Sequence, residues 1–359
     1  MPTADEMLGP ATVRALSDHL ERAGAAGSAV RACADRLTGH GFKERVTLVR
    51  DAVLADLPAD YPRFDAVVRA ALEDEAFRGW MTLPVGEAVA VRGLADFEPA
   101  LELLAALTPR LTSEYAVRPF LDSDLERALA VMLDWTADPD PHVRRLASEG
   151  CRPRLPWAAR LPALVADPTP ALPVLHALYR DGSDYVRRSV ANHLNDIGHD
   201  HPDTAVETAL RWLADADANT PWVVRHGLRG LVKQGHPGAL AALGYPADVP
   251  VTVDGPHLAA AEVALGGELG FTATVTNRGT TPVAVAVDYV VHHVKANGTR
   301  TAKVFKLTTR TLEPGESCAL RKVHSFRPIS TRRYHSGTHA VQLQVNGRRH
   351  ATAEFRLTV

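Results

Sequence analysis

The segment His142-Val143-Arg144-Arg145-Leu146-Ala147 recurs as Tyr185-Val186-Arg187-Arg188-Ser189-Val190, 43 residues later. Val224-Arg225 repeats Val186-Arg187 after a further 38, and Ser113-Glu114-Tyr115 resembles Ser183-Asp184-Tyr185 from 70 residues earlier. A recurrence of this length constrains the architecture strongly, because it means that like units are stacked on their neighbours. The units are helical. Apolar residues fall three and four apart, as in Val13, Leu16 and Leu20 or Leu101, Leu104 and Leu107. Pro- and Gly-containing turns at 58–62, 139–141 and 168–173 cut the pattern into short helices.

Asp-Pro or Ser-Asp stands ahead of each Arg-bearing helix, which predicts HEAT-like repeats forming an all-α solenoid over 1–245. On the helix starting near Ser183, the residues Val186, Val190, Leu194 and Ile197 make one apolar stripe. Arg188, Asn192, Asn195 and Asp196 lie on another face, and a shift of 43 sets Arg145, Glu149 and Arg152 against the first three. Such stripes are most often solvated faces with weak ion pairs. Two stretches exceed what a solvated scaffold needs. Gly150-Cys151-Arg152-Pro153-Arg154-Leu155-Pro156-Trp157 forms a non-helical corner rich in guanidiniums, prolines and a tryptophan. Asn192-His193-Leu194-Asn195-Asp196 places two amides and a carboxylate near a helix end.

The texture changes near Tyr245-Pro246. Alternating, β-branched stretches follow at 270–277, 283–294, 303–311, 318–326, 338–345 and 351–359, separated by turn signals such as Asn297-Gly298, Pro314-Gly315 and Asn346-Gly347. About seven short strands predict an all-β immunoglobulin-like sandwich over 251–359. Cys33, Cys151 and Cys318 are far apart and odd in number, so the sandwich carries no disulfide and a reducing cytoplasm (a bacterial-type cytosol and nucleoid) is expected. The net charge of -2 conceals a division. Residues 251–359 hold 14 Lys and Arg against 7 Asp and Glu, whereas 1–250 hold 26 against 35. A basic module suits a polyanionic partner.

No basic stretch followed by an apolar one opens the chain, and no apolar run reaches membrane-spanning length, so no membrane partner is expected. The GxSxG, HExxH, P-loop and strand-borne GxGxxG patterns are absent. His199 and His201 lie in a loop-like context that argues against a metal site, and no cofactor or obligate protein partner is implied.

Several segments are specific beyond a general HEAT pattern: Phe42-Lys43-Glu44-Arg45-Val46, Phe77-Arg78-Gly79-Trp80, Thr112 through Phe120, 143–157, 183–197, Arg225-His226 and Gly235-His236-Pro237. In these the chain resembles the AlkC branch of the AlkC/AlkD DNA glycosylases over nearly all of 1–245. Some members of that branch also carry an immunoglobulin-like C-terminal domain. The resemblance implies base excision repair of alkylation damage, by hydrolysis of the N-glycosidic bond of cationic bases. These are of the 3-methyladenine type, with 3-methylcytosine and 1-methyladenine as further substrates, and the base is not flipped. It implies double-stranded DNA containing alkylated bases as partner. Glu149, Asp196, Glu114 and Trp157 match the active-site motifs. Cys151, His193 and the stretch 84–89 depart from the expected pattern.

The chemistry suits those residues. A cationic purine leaves as a neutral base, so no general acid is needed, and positive charge appears on the sugar. Carboxylates stabilise that charge and position water. An indole face adds about 0.5–2 kcal/mol of cation–π attraction. Cations must offset the repulsion between carboxylates and phosphates, and Arg118, Arg144, Arg145, Arg152, Arg154, Arg187, Arg188 and Arg225, with Asn192 and Asn195, are the DNA-binding candidates. In the sandwich, Lys303, Lys306, Arg332, Arg333, Arg348 and Arg349 suit a DNA clamp. The other reading is a non-catalytic HEAT-repeat adaptor or DNA-binding scaffold.

Overall fold

The recurrent Asp, Pro and Arg positions have a local structural cause. Three turns, each ahead of a helix, are built alike in the computed structural model, which describes residues 3–330 and 332–359. The carboxylates of Asp138, Asp181 and Asp217 accept from the backbone N–H two residues on, at 2.7, 2.8 and 2.9 Å. Asp140 then caps the helix Pro141–Gly150 by accepting from the His142 N–H at 2.7 Å, with Pro141 in the first turn, where its missing N–H costs nothing. The conserved-spacing arginines close the turns. Arg144 donates to the Asp138 carbonyl at 2.9 Å, and Arg187 donates to the Asp181 carbonyl at 2.6 Å. Arg144 also grips the Asp181 carboxylate at 2.7 and 3.0 Å, tying one repeat to the next.

The helices bury the expected stripes. Val186, Val190 and Leu194 are fully buried, as are Val13, Leu16 and Leu20. The helices Pro141–Gly150 and Asp184–Asp200 pack on each other, and Leu125–Trp135 packs on the first of them. Among the described residues no helix is long and apolar enough to cross a membrane. The cysteines Cys33, Cys151 and Cys318 are free.

Among the described residues eight strands follow: β1 (Val251–Leu258), β2 (Glu262–Ala264), β3 (Glu268–Asn277), β4 (Val283–Val294), β5 (Arg300–Leu312), β6 (Ser317–Ser325), β7 (Gly337–Val345) and β8 (Arg348–Thr358). They form a three-stranded sheet in the order β1-β3-β6 and a five-stranded sheet in the order β2-β8-β7-β4-β5. All pairs are antiparallel except β2 with β8. Asn346 and Gly347 have φ of 46° and 79°, the two left-handed residues of a type I′ hairpin between β7 and β8. The core combines Leu269, Val275, Val285, Val287, Leu343 and Leu357 with an aromatic end around Phe326. Three buried histidines pack there: His293 lies against His324 and His339, with ring centroids 6.2 and 5.8 Å away. Burial pushes His293 down to about 3 and His324 down to about 4, and lowers His339 as well.

The change from helix to strand falls where expected, after 245, but the compact units divide elsewhere. One comprises Met1–Asp200 and Ala216–Val223, the other His201–Asp215 and Val224–Val359. Pro202–Ala214 packs on Pro237–Ala242, and both helices belong to the unit that carries the sandwich.

Candidate active site

The two helices one repeat apart, Pro141–Gly150 and Asp184–Asp200, carry Glu149 and Asp196. Glu114 stands in the turn ahead of Arg118–Ser123. All three carboxylates are buried, with exposures of 5% for Glu149 and 7% for Glu114 and Asp196. Buried charge requires pairing. Here it takes the form of an alternating ladder within the first unit. Arg145 binds Glu114 through one terminal nitrogen and lies 3.4 Å from Glu149 through the other. Arg152 donates to Glu149 Oε1 at 2.6 Å and to Asp196 Oδ2 at 2.8 Å. Two guanidiniums thus bridge three carboxylates, and the buried Arg118 guanidinium lies near enough to interact electrostatically with Glu114 and Asp196.

The ladder is fixed from both sides. Ser189 donates to Glu149 Oε2 at 2.6 Å, so both oxygens of Glu149 are held. Thr112 donates to Glu114 at 3.0 Å, and Arg145 also lies over the Tyr185 ring, 5.2 Å from its centroid. Burial opposes the charge on Arg152, but its hydrogen bond to Asp196 and its pairing with Glu149 win, and its pKa is raised. Beneath the ladder, Cys151 Sγ sits 4.0 Å from His193 Nδ1, which is 3.0 Å from the Ser148 carbonyl. Burial pushes the Cys151 thiol up to about 12 and the His193 ring down to about 3, so both are neutral packing groups. The departures noted at these two positions therefore support the ladder without adding a charge.

Trp157 is placed by the corner that follows. Its φ of 67° lies in the left-handed region, which costs a bulky residue about 1–3 kcal/mol. The surrounding chain holds it there. Lys43 donates to the Trp157 carbonyl at 2.7 Å, and Arg118 donates to the carbonyls of Gly150, Arg152 and Ala159 at 2.5–3.0 Å. The indole is 57% exposed, so it is presented to the surface rather than packed. Trp157 and Glu114 both line a cavity of about 750 Å³.

The cation candidates separate by what they already bind. Arg118, 6% exposed, serves the carbonyls of the corner, which corrects its expected role on phosphate. Arg144 and Arg187 are turn-closing ties, and Arg145 and Arg152 are the ladder's counter-charges. Arg154 holds Asp200 with two hydrogen bonds of 2.6 Å. Arg188 and Arg225 are exposed, although Arg188 also pairs with Asp184 at 2.9 Å, and Asn192 and Asn195 are half-buried. The physical reason is general: an arginine that recurs at the repeat period is one the repeat itself needs. Ser189, Tyr185 and Thr112 were not identified from sequence as parts of the site. Ser189 had a detectable signal, since the 43-residue shift sets Glu149 against Asn192, which lies one helical turn beyond Ser189. Among the described residues no group of three or more His, Cys, Asp and Glu is arranged to hold a metal.

The chain is similar to proteins already known. The model of the C-terminal Ig-like domain of the uncharacterised protein YhaZ matches residues 252–359. The uncharacterized protein YhaZ of Bacillus subtilis (strain 168) is 35% identical over 316 residues, 88% of this chain and 87% of that protein. The alkylpurine DNA glycosylase AlkC of Pseudomonas fluorescens, bound to DNA containing an abasic site analog, superimposes with a TM-score of 0.84 at 34% identity, covering 100% of both chains.

Proposed function

Because the chain belongs to the AlkC family of HEAT-like repeat proteins, with a YhaZ-type immunoglobulin-like C-terminal domain, we propose that it is a DNA glycosylase acting on cationic alkylated bases. The observation that carries this reading is the Glu114–Arg145–Glu149–Arg152–Asp196 ladder, three buried carboxylates held in place before any substrate arrives. A base such as 3-methyladenine carries its positive charge while bound to the sugar. When the C1′–N bond breaks, the electron pair goes to the base, which leaves neutral, and the charge moves to the sugar. Carboxylates already fixed in place stabilise that charge without reorganising at the moment of reaction. Water then bonds to C1′ and gives its proton to a carboxylate of the ladder.

Glu149, with both oxygens held, is the electrostatic element. Asp196 and Glu114 share the positioning of water, and the exposed Trp157 indole faces the cationic base or the electron-poor sugar. The lesion is attacked without being flipped into a pocket. Arg188, Arg225 and the half-buried Asn192 and Asn195 are the phosphate-side candidates of the helical repeats. The basic sandwich adds salt-dependent affinity for the same duplex, from Lys303, Lys306, Arg332, Arg333, Arg348 and Arg349.

The test is release of free base from duplex DNA carrying 3-methyladenine, 3-methylcytosine or 1-methyladenine, measured in a chelator. Release by wild type, lost in Glu149→Gln and Asp196→Asn, is expected. No release by folded protein that binds DNA would favour a non-catalytic scaffold.

A further inference from the structure

Of the residues lining the cavity beside the ladder, the reaction as described uses Glu114 and Trp157 and leaves the others without a role. Its size, about 750 Å³, falls within the roughly 300–1,000 Å³ of typical small-molecule sites. Four of its walls are aromatic: Phe42, Trp80, Tyr115 and Trp157. Phe42 and Trp80 brace each other edge to face, with centroids 5.5 Å apart, so this wall is pre-formed. Its polar lining includes the carboxyls of Glu87, Asp122 and Glu114. The lining cations are poorly suited to phosphate. Arg118 is committed to backbone carbonyls and Lys43 to the carbonyl of Trp157, and Arg160 is exposed. Flat walls with carboxyl groups suit an uncharged or cationic heteroaromatic ring, which stacks on the walls and bonds through its edge. The cavity is continuous with the candidate active site, because Glu114 and Trp157 belong to both.

We infer that this cavity receives the methylated base after it has been cut from DNA, stacking the ring on Trp80, Tyr115 and Trp157 and bonding its edge to Glu87. The inference rests on the glycosylase reading and extends it to the product. A base attacked within the duplex leaves as a free neutral molecule next to the abasic sugar, and a neighbouring site draws it away from that sugar. Glu87 suits the role because burial raises its pKa, which makes its carboxyl readier to carry a proton and donate to a ring nitrogen.

The experiment uses the full chain and free 3-methyladenine. Binding is measured by equilibrium dialysis and by quenching of tryptophan fluorescence, and inhibition by adding the free base to the base-release assay. Saturable binding is expected, with an inhibition constant matching the dissociation constant. Glu87→Met, which removes the carboxyl and keeps an unbranched side chain of similar length, should weaken binding about fivefold, as for loss of one hydrogen bond. Trp80→Ala should weaken it about tenfold through lost stacking. Should Trp80→Ala fail to fold, the similarly sized Glu87→Met decides alone. Wild type that releases base from methylated DNA while millimolar free base neither binds nor inhibits would overturn the cavity assignment and leave the glycosylase reading intact. Equal binding by wild type and Glu87→Met would also overturn it. Binding weakened in Glu87→Met, by protein that releases no base from any DNA, would support the cavity as a base site and remove the glycosylase reading.

Discussion

Replacing Arg152 by methionine tests the ladder as a whole. Arg152 is 6% exposed and bridges Glu149 and Asp196 at 2.6 and 2.8 Å. Met keeps an unbranched apolar stem and removes the charge. Two buried carboxylates then lose the partner they share, while Arg145, 3.4 Å from Glu149, stays in place. Removing one side of a buried pair costs about 3–5 kcal/mol, a large part of the roughly 5–15 kcal/mol that stabilises a typical domain. The variant should fold, with a much lower denaturation midpoint. Its carboxylates, lacking a cation, should take up protons at higher pH than in wild type. With the folded-state pKa raised above the unfolded one, the variant's stability is retained at low pH and lost as pH rises through the folded pKa. Base release should run the other way, rising with pH as the carboxylates ionise. Urea denaturation and single-turnover base release across a pH series measure the two trends. Adding Glu149→Gln to Arg152→Met should restore part of the lost stability, because it removes one of the stranded charges. A variant with unchanged midpoint and a pH profile parallel to wild type would refute the idea that Arg152 is the ladder's counter-charge.

Three further outcomes are expected. Ser189→Ala removes a 2.6 Å bond to a buried carboxylate and should cost about 1.5–3 kcal/mol in denaturant titration, lowering kcat more than it raises KM. In the sandwich, His293 and His324 are held down to about 3 and about 4. Their unfolded forms therefore protonate first as pH falls below ~6.5, and stability should drop by roughly 2 kcal/mol per histidine by about pH 5. NMR titration of the imidazole Cε1–H signals checks this, and ring protonation near neutral pH in the folded chain would contradict it. Gly347→Ala adds a Cβ at φ +79° against the Gly235 carbonyl and should lower stability by at least ~1–2 kcal/mol, read as a fall in melting temperature.

The parts of this architecture that were legible in the sequence are those that local physics dictates. The helix period, the Asp turns and the Pro first turns recur because every repeat needs them, and the alternation of 270–277 or 318–326 is the alternation of a half-buried strand. β1 and β2 were not resolved as separate strands. β1 contains Asp254-Gly255-Pro256 at an irregularity in its register, and β2 has only three residues, too few for a pattern. In the site, the carboxylates were proposed from motif and helix face, and the arginines were assigned outward. Periodicity shows which face a side chain shares, and it does not show whether that face meets solvent or the next repeat. Arg144, Arg152 and Arg118 are each engaged by groups 37, 44 and 32–41 residues away, contacts that only the stacking of repeats creates.

The interleaving of the two units has a consequence for synthesis. Chain emerging from a ribosome delivers Met1–Asp200 first, then His201–Asp215, which belongs with later residues, and only then Ala216–Val223. The helical unit is therefore incomplete until its last short piece has been translated, and Pro202–Ala214 is made before its packing partner Pro237–Ala242 exists. A nascent chain that has emerged from the ribosome as far as about 215 exposes an amphipathic helix without its mate, a surface for a holdase chaperone to cover until Pro237–Ala242 follows.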